Sequence, residues 1–331
     1  MRPPGAAGRL TLRGADACLG AVGDTPSYAG RRVLVTGASG FLGEHLWRVL
    51  NKLGAEVHGT YRHSKPEELS DRWRPCDLSD HAAVMALCRH VKPDVVFHLA
   101  GSATDRRSID AVMPTFRDNL VSTVNLLSVL HELGCGRLVL PASMEEPAAG
   151  LAGPVPASPH AAATFAAAAY ARMFHALYKM PVVVARLFAV YGPGQKDVTK
   201  AIPLAILKLL KGEAPKLASG SHKADWVYVQ DAVRGLLAIG LLPGLEGDTI
   251  DLGSGETHTV RGVVEILCQI IENAPAPEFG LLAGGAAKDE RPADAAATFK
   301  KTGWKPETPL RTGLEHTVEW YRTDYEQEAV L

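Results

Sequence analysis

A short apolar segment, a glycine-rich turn and an amphipathic helix pattern follow one another near residue 40. Residues 32–36 are mostly apolar or β-branched, which is typical of a buried strand. Apolar residues then recur at helical spacing from Leu42 to Leu53, and Gly54 stands where a glycine commonly ends a helix. Three glycines at intervals of three residues connect the two patterns, in the order Thr36-Gly37-Ala38-Ser39-Gly40-Phe41-Leu42-Gly43. This succession predicts the first strand and helix of an α/β sheet.

Strand and helix patterns continue to alternate as far as residue 187. Apolar segments at residues 55–60, 94–99, 137–141 and 182–187 predict further strands, and residues 116–130 carry a helical stripe. Strands that are apolar throughout indicate a parallel sheet covered on both faces. The pattern loosens after residue 192, so we predict a doubly wound α/β fold, Rossmann-like, with a smaller mixed C-terminal domain. The Ala- and Pro-rich residues 148–163 are predicted to form a loop.

The glycine turn predicts a binding site for a dinucleotide. Gly37 permits a tight turn, Gly40 lets the backbone approach a pyrophosphate, and Gly43 lets the helix pack closely on the strand. Free N–H groups and the positive dipole end of the helix favour phosphate at this point. Ser39, Phe41 and Leu42 complete the predicted cofactor-binding turn.

The end of the second strand favours NADP(H), with NAD(H) as the alternative. An acidic residue there would bind a ribose 2′-hydroxyl, but the sequence has Arg62, His63 and Lys65 instead. Arginine can pair with a 2′-phosphate through two parallel hydrogen bonds. Asp77 is predicted either to bond an adenine amino group or to cap the helix that follows it.

Composition and charge bound the remaining functions. A formal net charge of −1 argues against a broad nucleic-acid surface, and no apolar run reaches the roughly 18 residues of a membrane span. Five scattered cysteines without metal-ligand spacing predict reduced thiols, a cytoplasmic protein and no metal site. We expect residues 1–28 to form a flexible extension, 29–191 a dinucleotide-binding domain, and 192–331 mainly a substrate-binding domain, with some segments returning to the first.

Together with the glycine turn, a series of motifs resembles the extended short-chain dehydrogenase/reductases, in particular the nucleotide-sugar epimerases, dehydratases and reductases. The resemblance spans about residues 31–322. Its landmarks follow in family order as Cys76-Asp77-Leu78, His98-Leu99-Ala100-Gly101, Asn119, residues 186–195, residues 225–231, Arg291-Pro292, Gly303-Trp304-Lys305-Pro306 and Thr308-Pro309-Leu310.

The resemblance implies functional residues and a partner. Asp77, Leu78, Leu99, Ala100, Gly101 and Asn119 are expected to contact the cofactor. Arg186 and Arg291 are expected to contact a small-molecule substrate, a nucleotide sugar or something similar. It also implies a homodimer joined by a four-helix bundle that includes residues 161–178.

The chain departs from the family at the Y-x-x-x-K pair, in which a tyrosine moves a proton and a lysine lowers its pKa. Alignment on Ser158-Pro159 and on Tyr170-Ala171-Arg172 places His160 at the tyrosine position and Thr164 at the lysine position. Three interpretations remain open: His160 transfers the proton, other groups do, or the site only binds.

The other groups follow the fifth strand, where the family carries its catalytic serine or threonine. Ser143, Glu145 and Glu146 resemble the Thr-Asp-Glu run of the dehydratases, and two adjacent carboxylates suit acid–base chemistry. The leading hypothesis is therefore an NAD(P)-dependent epimerase, dehydratase or reductase acting on a nucleotide sugar or a related polar metabolite, with non-standard catalytic residues. The alternatives are a redox-neutral lyase or cyclase and a non-catalytic dinucleotide-binding protein.

Overall fold

Seven parallel strands form the large sheet of the molecule. The computed structural model describes residues 27–62, 71–103, 106–144, 155–218, 220–280 and 291–328. The strands stand in the order β10-β6-β5-β4-β1-β2-β3. Their bounds are β1 Arg32–Thr36, β2 Glu56–Tyr61, β3 Trp73–Pro75, β4 Val95–His98, β5 Arg137–Ser143, β6 Val182–Leu187 and β10 Thr249–Leu252. The predicted doubly wound α/β fold is confirmed.

Helices cover both faces of this sheet because alternate strand residues point to opposite sides. Val33 and Val35 of β1 belong to one core cluster, together with residues of α1 and α7, whereas Leu34 belongs to the other, with residues of α2, α4 and α5. The bounds of these helices are α1 Phe41–Lys52, α2 His81–Val91, α3 Val112–Thr115, α4 Ser122–Leu133, α5 Pro159–Tyr178 and α7 Val229–Leu241. A π-helical turn, Phe116–Val121, joins α3 to α4.

The second half of the chain builds a smaller mixed region around a third core cluster. One sheet has the order β11-β9-β7, and β12 pairs with β8 in another. Its elements are β7 Ala189–Tyr191, α6 Ala201–Leu210, β8 Lys216–Leu217, β9 Lys223–Tyr228, β11 Thr257–Thr259, α8 Val260–Ile270, β12 Glu278–Phe279 and α10 Leu310–Glu328. The helix α9 Ala295–Thr302 packs against β10 of the large sheet instead. β10, although late in the chain, pairs with β6 at the edge of the large sheet. No helix in the described part of the chain is long and apolar enough to cross a membrane.

Several sequence predictions need adjustment. α5 starts at Pro159, inside the segment predicted as a loop, because the Ser158 side chain accepts a hydrogen bond from Ala161 N–H and caps the helix. The short strands β3, β7, β8, β11 and β12 were not predicted, since two or three residues are too few to show a period. Residues 1–26 of the predicted extension lie outside the described residues.

The strand order reverses between β1 and β4, which are neighbours in the sheet although β2 and β3 lie between them in sequence. In open α/β sheets, ligands bind at the carboxyl ends of the strands beside such a point. β1 ends at Thr36 and β4 at His98, and these two residues are partners in the strand register. The fold thus places a crevice beside the glycine turn.

A buried hydrogen-bonded chain lies under this crevice. The Thr123 hydroxyl donates to the Asn119 carbonyl (2.6 Å), so its oxygen accepts from His98 Nε2–H (3.1 Å). His98 Nδ1 is then the acceptor for the Thr36 hydroxyl (2.7 Å), whose oxygen accepts from Ala100 N–H (3.2 Å). Burial lowers the pKa of His98 to about 4, which agrees with a neutral ring.

Because the His98 ring is buried and neutral, we expect the free energy of unfolding to fall in acid. An unfolded histidine takes up a proton near pH 6.5, whereas folded His98 does so only near pH 4. Its contribution to the free energy of unfolding is therefore complete above about pH 6.5 and is lost as the pH falls towards 4, by roughly 3 kcal/mol. Urea unfolding at several pH values would measure this slope. His98→Gln, which keeps an acceptor and a donor but does not titrate, should flatten it; equal slopes in both proteins would contradict the assignment.

Candidate functional site

The crevice beside β1 and β4 collects most of the residues predicted to bind a cofactor. Its lining comes from the glycine turn, the ends of β2 and β3, the loop after β4 and the π turn. The predicted residues among this lining are Gly37, Ser39, Gly40, Arg62, Asp77, Leu78, Leu99, Ala100 and Gly101. Distant parts of the sequence therefore meet in one cleft, which we call the dinucleotide cleft.

The glycines of the turn fit this purpose in different ways. Gly37 has φ +67°, and a Cβ there would lie 2.6 Å from Ala100 N. A Cβ on Gly43 would lie 2.8 Å from Ala38 Cα, so this glycine allows α1 to pack on the turn. Gly40 lines the cleft, and the one atom that a Cβ there would approach within 4 Å is Gly37 O, at 3.2 Å. The turn is thus shaped by close backbone approaches that side chains would block.

The first turn of α1 offers backbone N–H groups rather than side chains. Its N-cap, Gly40, provides no side-chain hydrogen bond. The Phe41 ring packs edge-on against His45, and Leu42 packs on the hydrophobic cores, so neither side chain lines the cleft. The amides at the start of a helix lack intrahelical acceptors and attract anions. The cleft therefore suits the diphosphate of a dinucleotide.

Arg62 lies on the wall of the cleft, paired with an acidic residue that the sequence did not reveal. Its two terminal nitrogens donate to the two carboxylate oxygens of Asp118, at 2.5 and 3.0 Å. These hydrogen bonds raise the pKa of Arg62, which stays charged. His63 and Lys65, the other predicted cations, lie outside the described residues.

Asp77 also lies in the cleft lining, and it does not cap the following helix. Asp80 caps α2 instead, accepting from the N–H groups of Ala82 and Ala83. Asp77 Oδ1 accepts from the side chain and the backbone N–H of Ser79, which lowers the Asp77 pKa, and Arg117 pairs with Oδ2.

The π turn supplies three consecutive side chains to this region. Arg117 contacts Asp77 and donates to Ser79 Oγ (2.6 Å), and Asp118 holds Arg62. Asn119 points to a different partner, the loop after β4. π turns are rare, and they occur frequently at functional sites. The helical stripe of residues 116–130 predicted a regular helix and did not reveal this arrangement of side chains.

Asn119 and His160 meet at the backbone of Ser102. The Asn119 side chain accepts from Ser102 N–H (2.6 Å) and donates to Ser102 O (3.0 Å). His160 Nδ1 lies 2.7 Å from the same carbonyl oxygen and 3.0 Å from Asn119 Nδ2. Because Ser102 directly follows Gly101 of the cleft lining, His160 stands next to the dinucleotide cleft.

Thr164 does not replace a lysine. Its hydroxyl donates to the carbonyls of its own helix, to His160 O at 2.9 Å and to Ala161 O at 3.2 Å. The hydroxyl carries no charge, so the electrostatic role of the family lysine has no counterpart at this position.

The fifth strand ends at Ser143, a half-buried residue whose register partner is Leu187 of β6. Met144 follows it, and Glu145 and Glu146 lie outside the described residues. The predicted acid–base role of the two glutamates thus stays a prediction.

Arg186 and Arg291 converge on one carboxylate, Asp251. Arg186 donates to one of its oxygens (2.6 Å) and Arg291 to the other (3.0 Å). Burial opposes ionisation of Asp251, but the Asp294 N–H and the two arginines outweigh it and lower its pKa. Two cations therefore share one anion, and the Arg291 side chain remains 40% exposed.

Comparison with known proteins agrees with this geometry. The sequence profile of the NAD dependent epimerase/dehydratase family matches residues 33–253. The UDP-glucuronate 4-epimerase of Thermodesulfobacterium geofontis (strain OPF15) is 28% identical over 319 residues, covering 88% of this chain and 97% of that protein. The dTDP-glucose 4,6-dehydratase of Neisseria gonorrhoeae is 28% identical over 336 residues, covering 88% of this chain and 95% of that protein.

A solved structure gives the same result. The UDP-glucose 4-epimerase of Thermus thermophilus, in complex with NAD, superimposes with a TM-score of 0.77 and 28% identity, covering 88% of this chain and 99% of that chain. The fold and cleft define a doubly wound α/β protein with a dinucleotide site. The chain belongs to the NAD dependent epimerase/dehydratase family, as its resemblance to nucleotide-sugar epimerases and dehydratases predicted.

Proposed function

We propose that this protein is an NADP(H)-using epimerase, dehydratase or reductase of a nucleotide sugar or a similar polar metabolite, with His160 in the proton-transferring role. The observation that carries the proposal is the anchoring of His160 beside the dinucleotide cleft. Its Nδ1 is bound to Ser102, whereas Nε2 has no hydrogen-bond partner among the described residues. One ring nitrogen thus fixes the side chain, and the other is available to a substrate.

The replacement of tyrosine also accounts for the missing lysine. A phenol ordinarily titrates near pH 10 and needs a nearby cation to act as a base at neutral pH. Imidazole side chains ordinarily exchange protons near neutral pH without such help. Histidine at this position therefore makes a lysine at position 164 dispensable.

The residues of the cleft divide the remaining tasks. The bound dinucleotide supplies the hydride acceptor and donor. The amides at the start of α1 hold its diphosphate, and Arg62 its 2′-phosphate. His160 takes a proton from a substrate hydroxyl at Nε2 and returns it. Arg291, supported by Asp251, is suited to a phosphate of the substrate, which residues 192–331 would mainly bind.

A nucleotide sugar is supported by the relatives and by charge. The similar proteins act on UDP-glucuronate, UDP-glucose and dTDP-glucose, according to their names. Arg186, Arg291 and Asp251 together carry one net positive charge, which favours an anionic substrate.

Turnover should depend on His160. With UDP-, dTDP- and GDP-sugars as substrates and products followed by NMR, His160→Gln should lower kcat at least about 100-fold because the replacement cannot transfer a proton. Tyr170→Phe, on the exposed face of the same helix, is the matched control and should keep wild-type turnover.

Several other outcomes would overturn this assignment. Full turnover in His160→Gln would move the chemistry to other groups. No product from any sugar nucleotide, with dinucleotide still bound, would favour the non-catalytic binding protein. Product formed with no transfer of deuterium from the sugar carbons to the cofactor at any stage of turnover, not even transiently, would favour a redox-neutral lyase or cyclase.

Cofactor preference should depend on Arg62. Arg62→Ala should weaken NADPH binding about tenfold or more, which corresponds to roughly 1.4 kcal/mol, and leave NADH binding nearly unchanged. Asp118→Asn removes the negative charge beside Arg62 and keeps the arginine itself, so NADPH binding should be kept or strengthened. Fluorescence titration of both cofactors measures these effects. Tighter binding of NADH than NADPH by the wild type would refute the role of Arg62.

Apolar side chains exposed on two adjacent helical segments support a homodimer. We call them the apolar patch: Ile109, Val112, Met113, Phe116 and Phe165. Ile109 is 86% and Met113 68% exposed, and α5 packs directly against the segment that carries the other four. Contiguous apolar surface of this kind marks association sites.

Changing the apolar patch should produce monomers. The double variant Met113→Glu/Phe165→Glu places charges in the proposed interface, so light scattering after size exclusion should report half the wild-type mass. Phe299→Glu, at a 52% exposed aromatic residue of α9, is the control and should remain dimeric. A monomeric wild type at micromolar concentration would rule out the dimer.

A further inference from the structure

The Asn119 amide has one orientation, set by the backbone of Ser102. An amide oxygen only accepts, and an amide nitrogen only donates. The oxygen must therefore face Ser102 N–H (2.6 Å), which turns the nitrogen towards Ser102 O (3.0 Å). Asn119 is 6% exposed and lies in the π turn, so the packed helix holds this two-point contact in place.

The Ser102 carbonyl in turn determines where His160 carries its proton. A bare Nδ1 would place its lone pair 2.7 Å from the carbonyl oxygen, which is repulsive, whereas Nδ1–H donates to it. Asn119 Nδ2 does not supply that proton. Ser102 O, Asn119 Nδ2 and His160 Nδ1 form a nearly equilateral triangle, so an N–H bond aimed at the oxygen is not aimed at Nδ1.

We propose that Asn119 is a positioning residue that, through the Ser102 carbonyl, holds neutral His160 as its Nδ1–H tautomer and leaves the lone pair on Nε2. The proposal rests on the role assigned to His160 above and adds the atom that accepts the substrate proton. Groups that orient a functional histidine by bonding its other nitrogen set its tautomer and ring direction. Asn119 does so through its two contacts to the Ser102 backbone.

The tautomer can be measured without any substrate. Long-range ¹H–¹⁵N correlation spectra distinguish a protonated ring nitrogen from a bare one, and His160→Gln assigns the signals by their loss. In the wild type at a pH where the ring is neutral, Nδ1 should appear protonated and Nε2 bare. A protonated Nε2 in the wild type would overturn the proposal, whatever the variants do.

Two variants test the part played by Asn119. Asn119→Ala removes both contacts to Ser102, so the His160 signals should move towards a mixture of tautomers; Asn119→Asp keeps the acceptor and loses the donor, and should do the same. Asn51→Ala, at an α1 asparagine whose side chain donates to Trp47 O, should leave the signals unchanged. An unchanged tautomer in a folded Asn119→Ala protein would overturn the role of Asn119.

Kinetics separate this proposal from the proposed function. Asn119→Ala should lower kcat about 10- to 100-fold with KM little changed, as expected for loss of a group that orients a functional side chain. If the wild-type ring is the Nδ1–H tautomer but His160→Gln keeps full turnover, the proton-transfer role of His160 fails while the tautomer assignment stands. If the wild-type ring carries its proton on Nε2 but His160→Gln is inactive, the tautomer assignment fails while the proton-transfer role of His160 stands.

Discussion

The functional region depends on one constraint, the close approach of the glycine turn after β1 to the start of the loop after β4. Gly37 has no room for a side chain because the backbone at Leu99 and Ala100 occupies that space. β1 and β4 are neighbours only because the order in which the strands are added to the sheet reverses at this point. From this contact follow the position of the α1 N-terminus, the path of residues 99–102 and the floor of the cleft between them.

Two hydrogen-bonded networks connect the π turn and α4 to the end of β1 and to the loop after β4. Below the cleft, His98 links Thr36 to Thr123 through fully used ring nitrogens. Beside the cleft, the Asn119 side chain holds Ser102. The networks share Asn119, whose backbone carbonyl accepts from Thr123 while its side chain serves the loop. Each of these side chains finds a partner of matching type, which buried networks require in order to specify one arrangement.

The sequence predicted the fold well and the site in part, for physical reasons. The periods of strands and helices are long enough to reveal the large sheet, and the glycine spacing reveals the turn. Arg62 lies in the cleft lining, and its partner Asp118 was not predicted because a regular helix would direct neighbouring side chains about 100° apart. The Ser102 carbonyl was missed because backbone atoms carry no sequence signal. His160 was found only through the family alignment, since a single histidine has no period.

The π turn at Phe116–Val121 has a consequence for redesign of the protein. A π turn closes its hydrogen bonds over one residue more than an α turn does, so the segment contains one residue more than a regular helix would need. That additional residue allows adjacent side chains to reach Arg62 at one end of the cleft and Ser102 at the other. Deleting any one residue here would restore regular winding and rotate one contact away from the cleft. The length of this segment must therefore be conserved, together with Arg117, Asp118 and Asn119, whose side chains make these contacts.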